Sequence, residues 1–291
     1  MSRPPTFIPP SCARARALST ARGNFAVLDA APAGTPRGTI LLVPGYTGSK
    51  EDFIALLEPL AEAGYRAVAV DGRGQFESPG TDDLQEYAQE ELARDVLAQT
   101  AALGAGENGG ATGSETGGGV HLLGHSLGGQ LCRAAVLRDA APFRSLTLMS
   151  SGPAEVVEAQ QVKLKILGDA LATMTMSTVW DAMRAFDPPA EAETGGEDLR
   201  RRWLLHRPAQ LIATGRQLAT EPDRVAELAA TGLPVHVISG EVDDVWPVPV
   251  LDGMAVRLGA RRTRIAGAEH SPNTGRPEET AAALAAFWDG L

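Results

Sequence analysis

Cysteine is almost missing from this chain of 291 residues: only Cys12 and Cys132 occur, far apart and without C-x-x-C spacing. That argues against a disulfide framework and against a cysteine-rich zinc site. Basic charge is short as well, with 26 Lys and Arg against 36 Asp and Glu and a net charge of −10. Nucleic acid is therefore a poor candidate for the main partner, because phosphate contacts need a basic face. No stretch approaches the ~18 uninterrupted apolar residues of a membrane span, and no unit repeats along the chain. The first twenty-two residues carry Arg3, Arg14, Arg16 and Arg22, broken by Pro4, Pro5, Pro9 and Pro10. They hold no apolar core of a signal peptide. These absences lead to the expectation of a soluble, cytoplasmic protein acting on a small molecule, its oligomeric state unread.

What is present is 44% hydrophobic and 21% charged residues. That suits one large domain, or a domain with an insertion, able to bury most of its unfolded surface without disulfides or metals. Thr39-Ile40-Leu41-Leu42-Val43 is a nearly continuous apolar run ended by Pro44-Gly45, as expected of a strand buried on both faces. Ser49 to Asp52 reads as a capped helix start, followed by Phe53, Ile54, Leu56, Leu57 and Leu60 at helical spacing and closed by Gly64. Further strands are expected over Arg66–Val70, Val120–Gly124, Ser145–Met149, Val235–Ser239 and Arg262–Ala266, with a long helix over Leu84–Leu103. Strands alternating with helices predict a doubly wound α/β sheet, whose ligands bind beyond the carboxyl ends of the strands.

Two segments break that rhythm. Gly104 to Gly119 holds eight glycines and reads as a flexible loop, since it lacks the Lys-Ser/Thr ending of a phosphate-binding loop. Residues 153–224 continue in helical patterns without a strand, which suggests a helical lid over the carboxyl edge. The expected organisation is a tail over 1–22, a core from 23–152 and 225–291, and the lid between.

Chemistry concentrates at Gly124-His125-Ser126-Leu127-Gly128, a G-x-S-x-G between an apolar strand and a helical segment at Gln130–Arg138. A serine on such a strand-to-helix turn stands above the sheet with a helix N-terminus behind it, which favours negative charge. It needs a base. Of five histidines, His121 and His236 lie in strands, His125 is in the turn and His206 is in the lid. His270 follows the last strand and is the candidate base. The base needs an acid, and Glu241, Asp243 and Asp244 follow Val235–Ser239. Asp243 is preferred for its spacing from the strand end and from Pro247. Oxyanion donors are expected at the amides of Leu127 and Tyr46, with Gly45 allowing close approach.

These residues and their neighbours resemble the α/β-hydrolase superfamily over nearly everything from Asn24 to Leu291 outside the lid. Asp71-Gly72-Arg73-Gly74-Gln75-Phe76-Glu77-Ser78 is similar to the family's D-x-R-G-x-G-x-S, with Phe76 where the second glycine falls. Pro44 stands where a histidine commonly precedes the oxyanion glycine, which bears on a side-chain contact and not on the backbone donor. Gly240-x-x-Asp243-x-x-x-Pro247 and His270-Ser271-Pro272 are similar to the acid and histidine loops. The resemblance implies the α/β-hydrolase fold, a mostly parallel central sheet flanked by helices. It also implies a serine hydrolase acting through an acyl-enzyme on a carboxylic ester, thioester or lactone, with no cofactor and no metal. The same triad in this superfamily supports C–C bond hydrolysis and cofactor-free perhydrolysis, and a ligand-binding receptor of this fold is the non-enzyme alternative. Serine at the turn sets the chain apart from the dehalogenase and epoxide-hydrolase branches, which use aspartate there.

Candidate substrate contacts are Gly45, His125, Met174, Trp180 and Trp246. Met174, Met176, Trp180, Met183 and Phe186 suit an apolar substrate, or form the lid's own core. Arg200-Arg201-Arg202 could grip an anion or make a solvated helix face.

Overall fold

The computed structural model describes residues 3–104, 119–185 and 196–291. Its strands are β1 (Ala13–Thr20), β2 (Gly23–Ala30), β3 (Thr39–Val43), β4 (Arg66–Val70), β5 (Val120–His125), β6 (Phe143–Met149), β7 (Val235–Gly240) and β8 (Arg261–Ile265). They form an eight-stranded sheet in the order β1-β2-β4-β3-β5-β6-β7-β8. The hairpin β1–β2 is antiparallel and joins β4 antiparallel, while every pairing from β4 to β8 is parallel.

The described helices are α1 (Ile54–Glu62), α2 (Gln89–Gly104), α3 (Leu127–Arg138), α4 (Glu158–Leu171), α5 (Met176–Arg184), α6 (Gly196–Leu205), α7 (Pro208–Leu218), α8 (Val225–Ala230), α9 (Val248–Leu258), α10 (Pro272–Gly275) and α11 (Pro277–Trp288). The apolar run of β3 divides between two cores because successive side chains of a strand point to opposite faces. Leu41 and Val43 pack with Leu92 of α2, Leu131 of α3 and Leu251 of α9. Ile40 and Leu42 pack with Leu56, Leu57 and Leu60 of α1 and with Leu284 and Phe287 of α11. Both faces of the central strands are thereby closed to water.

Three expectations are corrected. The expected tail contains β1, whose Ala13–Thr20 pairs with all of β2. Arg16 of β1 and Arg66 of β4 both grip Asp29, so charge as well as backbone pairing ties this edge down. The helix expected over Leu84–Leu103 is two elements, a 3-10 turn over Leu84–Tyr87 and then α2, because Ala88 is extended at ψ 143°. The Tyr87 hydroxyl, donating to the Thr81 carbonyl and accepting its amide, pins that turn. The helix after the serine begins at Leu127, directly at the turn, rather than at Gln130.

Between β6 and β7 stand α4 to α8, with no strand among the described residues. Leu171, Val179, Trp180, Leu199, Trp203 and Leu211 give α4 to α7 a small core of their own. Phe186 and most of the glycine-rich Gly104–Gly119 segment lie outside the described residues.

Candidate active site

The parallel strands deliver their carboxyl ends to one edge, and the chemistry gathers there. β5 ends at His125, α3 starts at Leu127, and Ser126 between them stands at φ 54°, ψ −119°. An L-residue resists positive φ, so the neighbours must leave no other course. A Cβ on Gly124 would collide with the backbone of Gly128, and one on Gly128 with the carbonyl oxygens of Val43 and Pro44. The glycines thus let the end of β3, the turn and the first turn of α3 touch backbone to backbone. The Ser126 amide donates to the Met149 carbonyl of β6 at 2.9 Å, which locks the turn to the neighbouring strand.

His270 lies on the loop after β8. Its Nδ1 meets Asp243 Oδ1 at 3.0 Å and Oδ2 at 2.9 Å. The Asp243 side chain is fully buried, and Oδ1 also accepts from the amides of Val245 and Trp246. Burial works against its charge, but the bond and charge of His270 with those two amides outweigh it, so its pKa is lowered from the ordinary value. The other carboxylates of this loop face elsewhere. Asp244 accepts from Gln160 Nε2 at the surface, and Glu241 accepts from the Gly267 amide. The loops of β7 and β8 meet closely because Gly240 has no Cβ to strike the carbonyls of Ala268 and Glu269.

His125 joins these two halves. Its Nε2 is 2.9 Å from the His270 carbonyl oxygen and its ring centroid 5.1 Å from that of His270. Burial, helped by the nearby His270, pushes its pKa down to about 4, so it is neutral at pH 7. The indole of Trp246 stacks on His270 at 6.4 Å and anchors through Nε1 to the carbonyls of Ala154 and Glu155.

The loop after β3 closes the site. A Cβ on Gly45 would lie 3.3 Å from Ser126 Cβ and 3.4 Å from His125 Nδ1, so its backbone runs against the serine turn. Among the described residues, no carbonyl accepts from the amides of Tyr46 and Leu127. The Tyr46 hydroxyl donates to the Leu211 carbonyl of α7, and its phenol pKa is raised by burial. Of the candidate substrate contacts, Gly45, His125 and Trp246 border Ser126 or His270. Trp180 is buried in the core of α4 to α7, and Met174 is exposed between α4 and α5. Met176 and Met183 pack against that same core.

Several residues here carry no motif signal. Lys50 Nζ, buried, contacts Asp71, Glu51 and Glu77. Arg202 is wholly buried and paired with Asp52 at 2.7 Å, while Arg201 reaches Glu77 and Arg200 reaches Ser177. Arg200 and Arg201 are exposed, as a solvated helix face expects, and Arg202 alone of the three is buried against the protein. His206 Nε2 lies 3.1 Å from the Gly48 carbonyl oxygen. Together they hold α6 onto the loops after β3 and β4. Among the described residues, no group of three or more His, Cys, Asp or Glu could hold a metal ion, and no helix is long and apolar enough to cross a membrane.

Comparison with known proteins gives the family and the fold. The alpha/beta hydrolase family matches residues 40–283. The chain belongs to that family. One curated relative, N-formylmaleamate deformylase of Pseudomonas putida, is 27% identical over 218 residues, covering 65% of this chain and 75% of that protein. A candidate carbamate hydrolase, RutD, of Variovorax paradoxus is 33% identical over 112 residues, 38% of this chain and only 37% of its own length. Among solved structures, a thermophilic esterase from Thermogutta terrifontis superposes with a TM-score of 0.72 at 20% identity, over 96% of this chain and 99% of that one. At that identity the likeness establishes the fold.

Proposed function

We propose that this α/β hydrolase is a serine hydrolase that cleaves a carboxylic ester, thioester or lactone of a small to medium hydrophobic substrate through an acyl-enzyme on Ser126. The observation that carries the reading is His270, oriented by buried Asp243 and held through its carbonyl by His125, the residue that precedes Ser126, which stands at positive φ on a helix N-terminus. His270 takes the Ser126 proton as the hydroxyl attacks the carbonyl carbon. The amides of Tyr46 and Leu127 donate to the developing oxyanion, and α3 adds its positive end. Protonated His270 donates to the leaving group, and the same histidine then activates water to release the acid. Asp243 keeps the Nδ1–H tautomer and stabilises the imidazolium without taking the proton itself. The helices α4 to α7 act as a lid, contacting the Tyr46 hydroxyl and the Gly48 carbonyl.

A second reading draws support from the two curated relatives, whose names specify an N-formyl and a carbamate group. In it the same serine attacks a carbonyl bonded to nitrogen. Hydrolysis of p-nitrophenyl esters from acetate to dodecanoate, beside an N-formyl amide and an aryl carbamate, separates the two. The ester reading expects turnover of one chain length, lost by about 10⁶-fold in Ser126→Ala. Turnover of the nitrogen substrates alone would move the assignment to the second reading. Activity that survives Ser126→Ala would overturn both.

A further inference from the structure

We infer that Gln75 is a positioning residue that sets the direction of the oxyanion donor at Tyr46, the task left open by Pro44. The inference rests on the proposed function and goes beyond it to a residue outside the triad and the donors. Pro44 has no N–H and no polar side chain, so it cannot anchor the peptide that follows Gly45. Gln75 is 5% exposed, on the loop after β4, and its Nε2 donates to the Gly45 carbonyl at 2.9 Å. Its Oε1 accepts from the Gly72 amide at 2.9 Å, and its own amide donates to the Gly72 carbonyl at 2.9 Å. With the oxygen committed to Gly72, the side-chain NH₂ can face only the other way, onto Gly45. A Cβ on Gly72 would come within 2.8 Å of that oxygen, so this turn is shaped around the glutamine.

The consequence follows from peptide geometry. A trans peptide is planar, with its C=O and N–H pointing in opposite directions. The Gly45 carbonyl and the Tyr46 N–H belong to one such peptide, and the described residues contain no cis peptide bond. Holding the carbonyl on the Gln75 side aims the Tyr46 N–H away from Gln75. The Gly48 amide also reaches the Gly45 carbonyl, but at 3.2 Å and within the same small loop. Among the described residues, Gln75 is the hydrogen-bond partner that ties this peptide to the loop of a different strand. Preorganised donors matter most when charge develops on the substrate oxygen, so the effect of Gln75 falls on the rate of attack and little on substrate binding.

The test uses the full chain and a p-nitrophenyl alkylphosphonate, which reports attack by Ser126 whatever the natural substrate. Gln75→Leu keeps the volume and removes both hydrogen bonds. Gln75→Glu keeps the acceptor for Gly72 and, when ionised, removes only the donor to Gly45. Both are expected to phosphonylate roughly tenfold more slowly than wild type at pH 8, less than the ~10²–10³ lost with a whole oxyanion donor. For any ester turned over, kcat should fall by the same factor while KM stays nearly unchanged. The rate of Gln75→Glu relative to wild type should rise as the pH is lowered, because a protonated buried carboxyl can again donate. Phosphonylation of either folded variant at the wild-type rate would overturn the inference. Wild-type protein that is not labelled at Ser126 would instead overturn the proposed function, and this inference with it.

Discussion

Among the described residues, Phe76, Ser126 and Ser150 are the non-glycine residues at positive φ, each after the carboxyl end of a strand, and the turns of Ser126 and Phe76 are held by different physics. After β5, Ser126 at φ 54° is forced by sterics: Gly124 and Gly128 admit neighbouring backbone where any Cβ would collide. After β4, Phe76 at φ 36° is held by its side chain. The ring is 4% exposed, with Lys50 Nζ 4.5 Å from its centroid on one contact, the Arg201 guanidinium 5.0 Å on another, and the Phe7 ring edge-on at 6.4 Å. The first turn stores strain where the proposed nucleophile stands. The second accepts strain of about 1–2 kcal/mol to bring an aromatic ring against two cations, one of them Arg201 of α6. Strain alone is therefore no signature of catalysis; what the strained side chain faces decides its role.

The largest break in the comparison lies at the partners of the serine turn. If the strain at Ser126 serves attack, removing the carboxylate that orients His270 should cost rate without relaxing the turn. Asp243→Ala should lose about 10⁴-fold in kcat, as loss of the orienting acid does in other triads. Asp244→Ala should keep most of its activity, because Asp244 faces Gln160 at the surface. Steady-state kinetics of the two variants decide the matter, and the reverse ranking would reassign the acid.

Acid sharpens the comparison next, since one turn is lined by neutral histidine and the other by ion pairs. Burial pushes His121, His125 and His206 down to about 4, and His236 to about 3. Their unfolded pKa is 6.5, so the unfolded chain binds more protons below that value. Stability is therefore complete above pH 6.5 and is lost as the pH falls toward 4. Each such histidine withdraws on the order of 2 kcal/mol by pH 5. Around Phe76 the sign differs. Burial opposes the charge of Glu77, but its bonds to Lys50 and Arg201 outweigh that and lower its pKa. Its contribution is kept until the pH drops through the lowered carboxylate value. Hydrogen exchange by mass spectrometry at pH 7, 6 and 5 should show β5 and the serine turn loosening before the Lys50–Glu77 cluster. A Tm unchanged between pH 6.5 and pH 5 would contradict the neutral burial of these histidines.

What the sequence made legible follows the range of the forces involved. The strands β3 to β7 announce themselves because double burial demands local apolar runs; β8, the Arg-rich far edge, has no such run, yet all six lie within two residues of their expected spans. β1 was hidden because it is an edge strand with one face in water. Its one buried residue, Leu18, shares a face with Arg14 and Arg16 while Ala15 and Ala17 are exposed, so no apolar alternation marks it. Ser126, Asp243 and His270 could be named from chain order, since each follows a strand whose carboxyl end meets the same edge. Gln75 and the Arg202–Asp52 pair could not. The partners of Arg202 lie about 150 residues away in sequence, and a glutamine in a loop has no local pattern that reveals a carbonyl brought to it by another strand.

Phe76 offers the smallest and most discriminating test. Phe76→Ala keeps a Cβ at φ 36° while deleting the ring, so it retains the strain and loses its compensation. Phe76→Gly deletes the ring but also relieves the strain, at some cost in chain entropy. Burial of a Phe ring contributes about 1.5–3 kcal/mol, and each cation–π contact adds about 0.5–1 kcal/mol. Both variants should therefore be destabilised, with Phe76→Gly the more stable of the two by up to about 1 kcal/mol in urea unfolding. The equivalent pair at the serine turn should rank the same way, Ser126→Gly above Ser126→Ala, although there the activity is gone in both. Phe76→Gly should leave catalysis largely intact. If it instead abolished activity with stability preserved, the ring would belong to the substrate pocket, and the division between a turn that reacts and a turn that braces would fail.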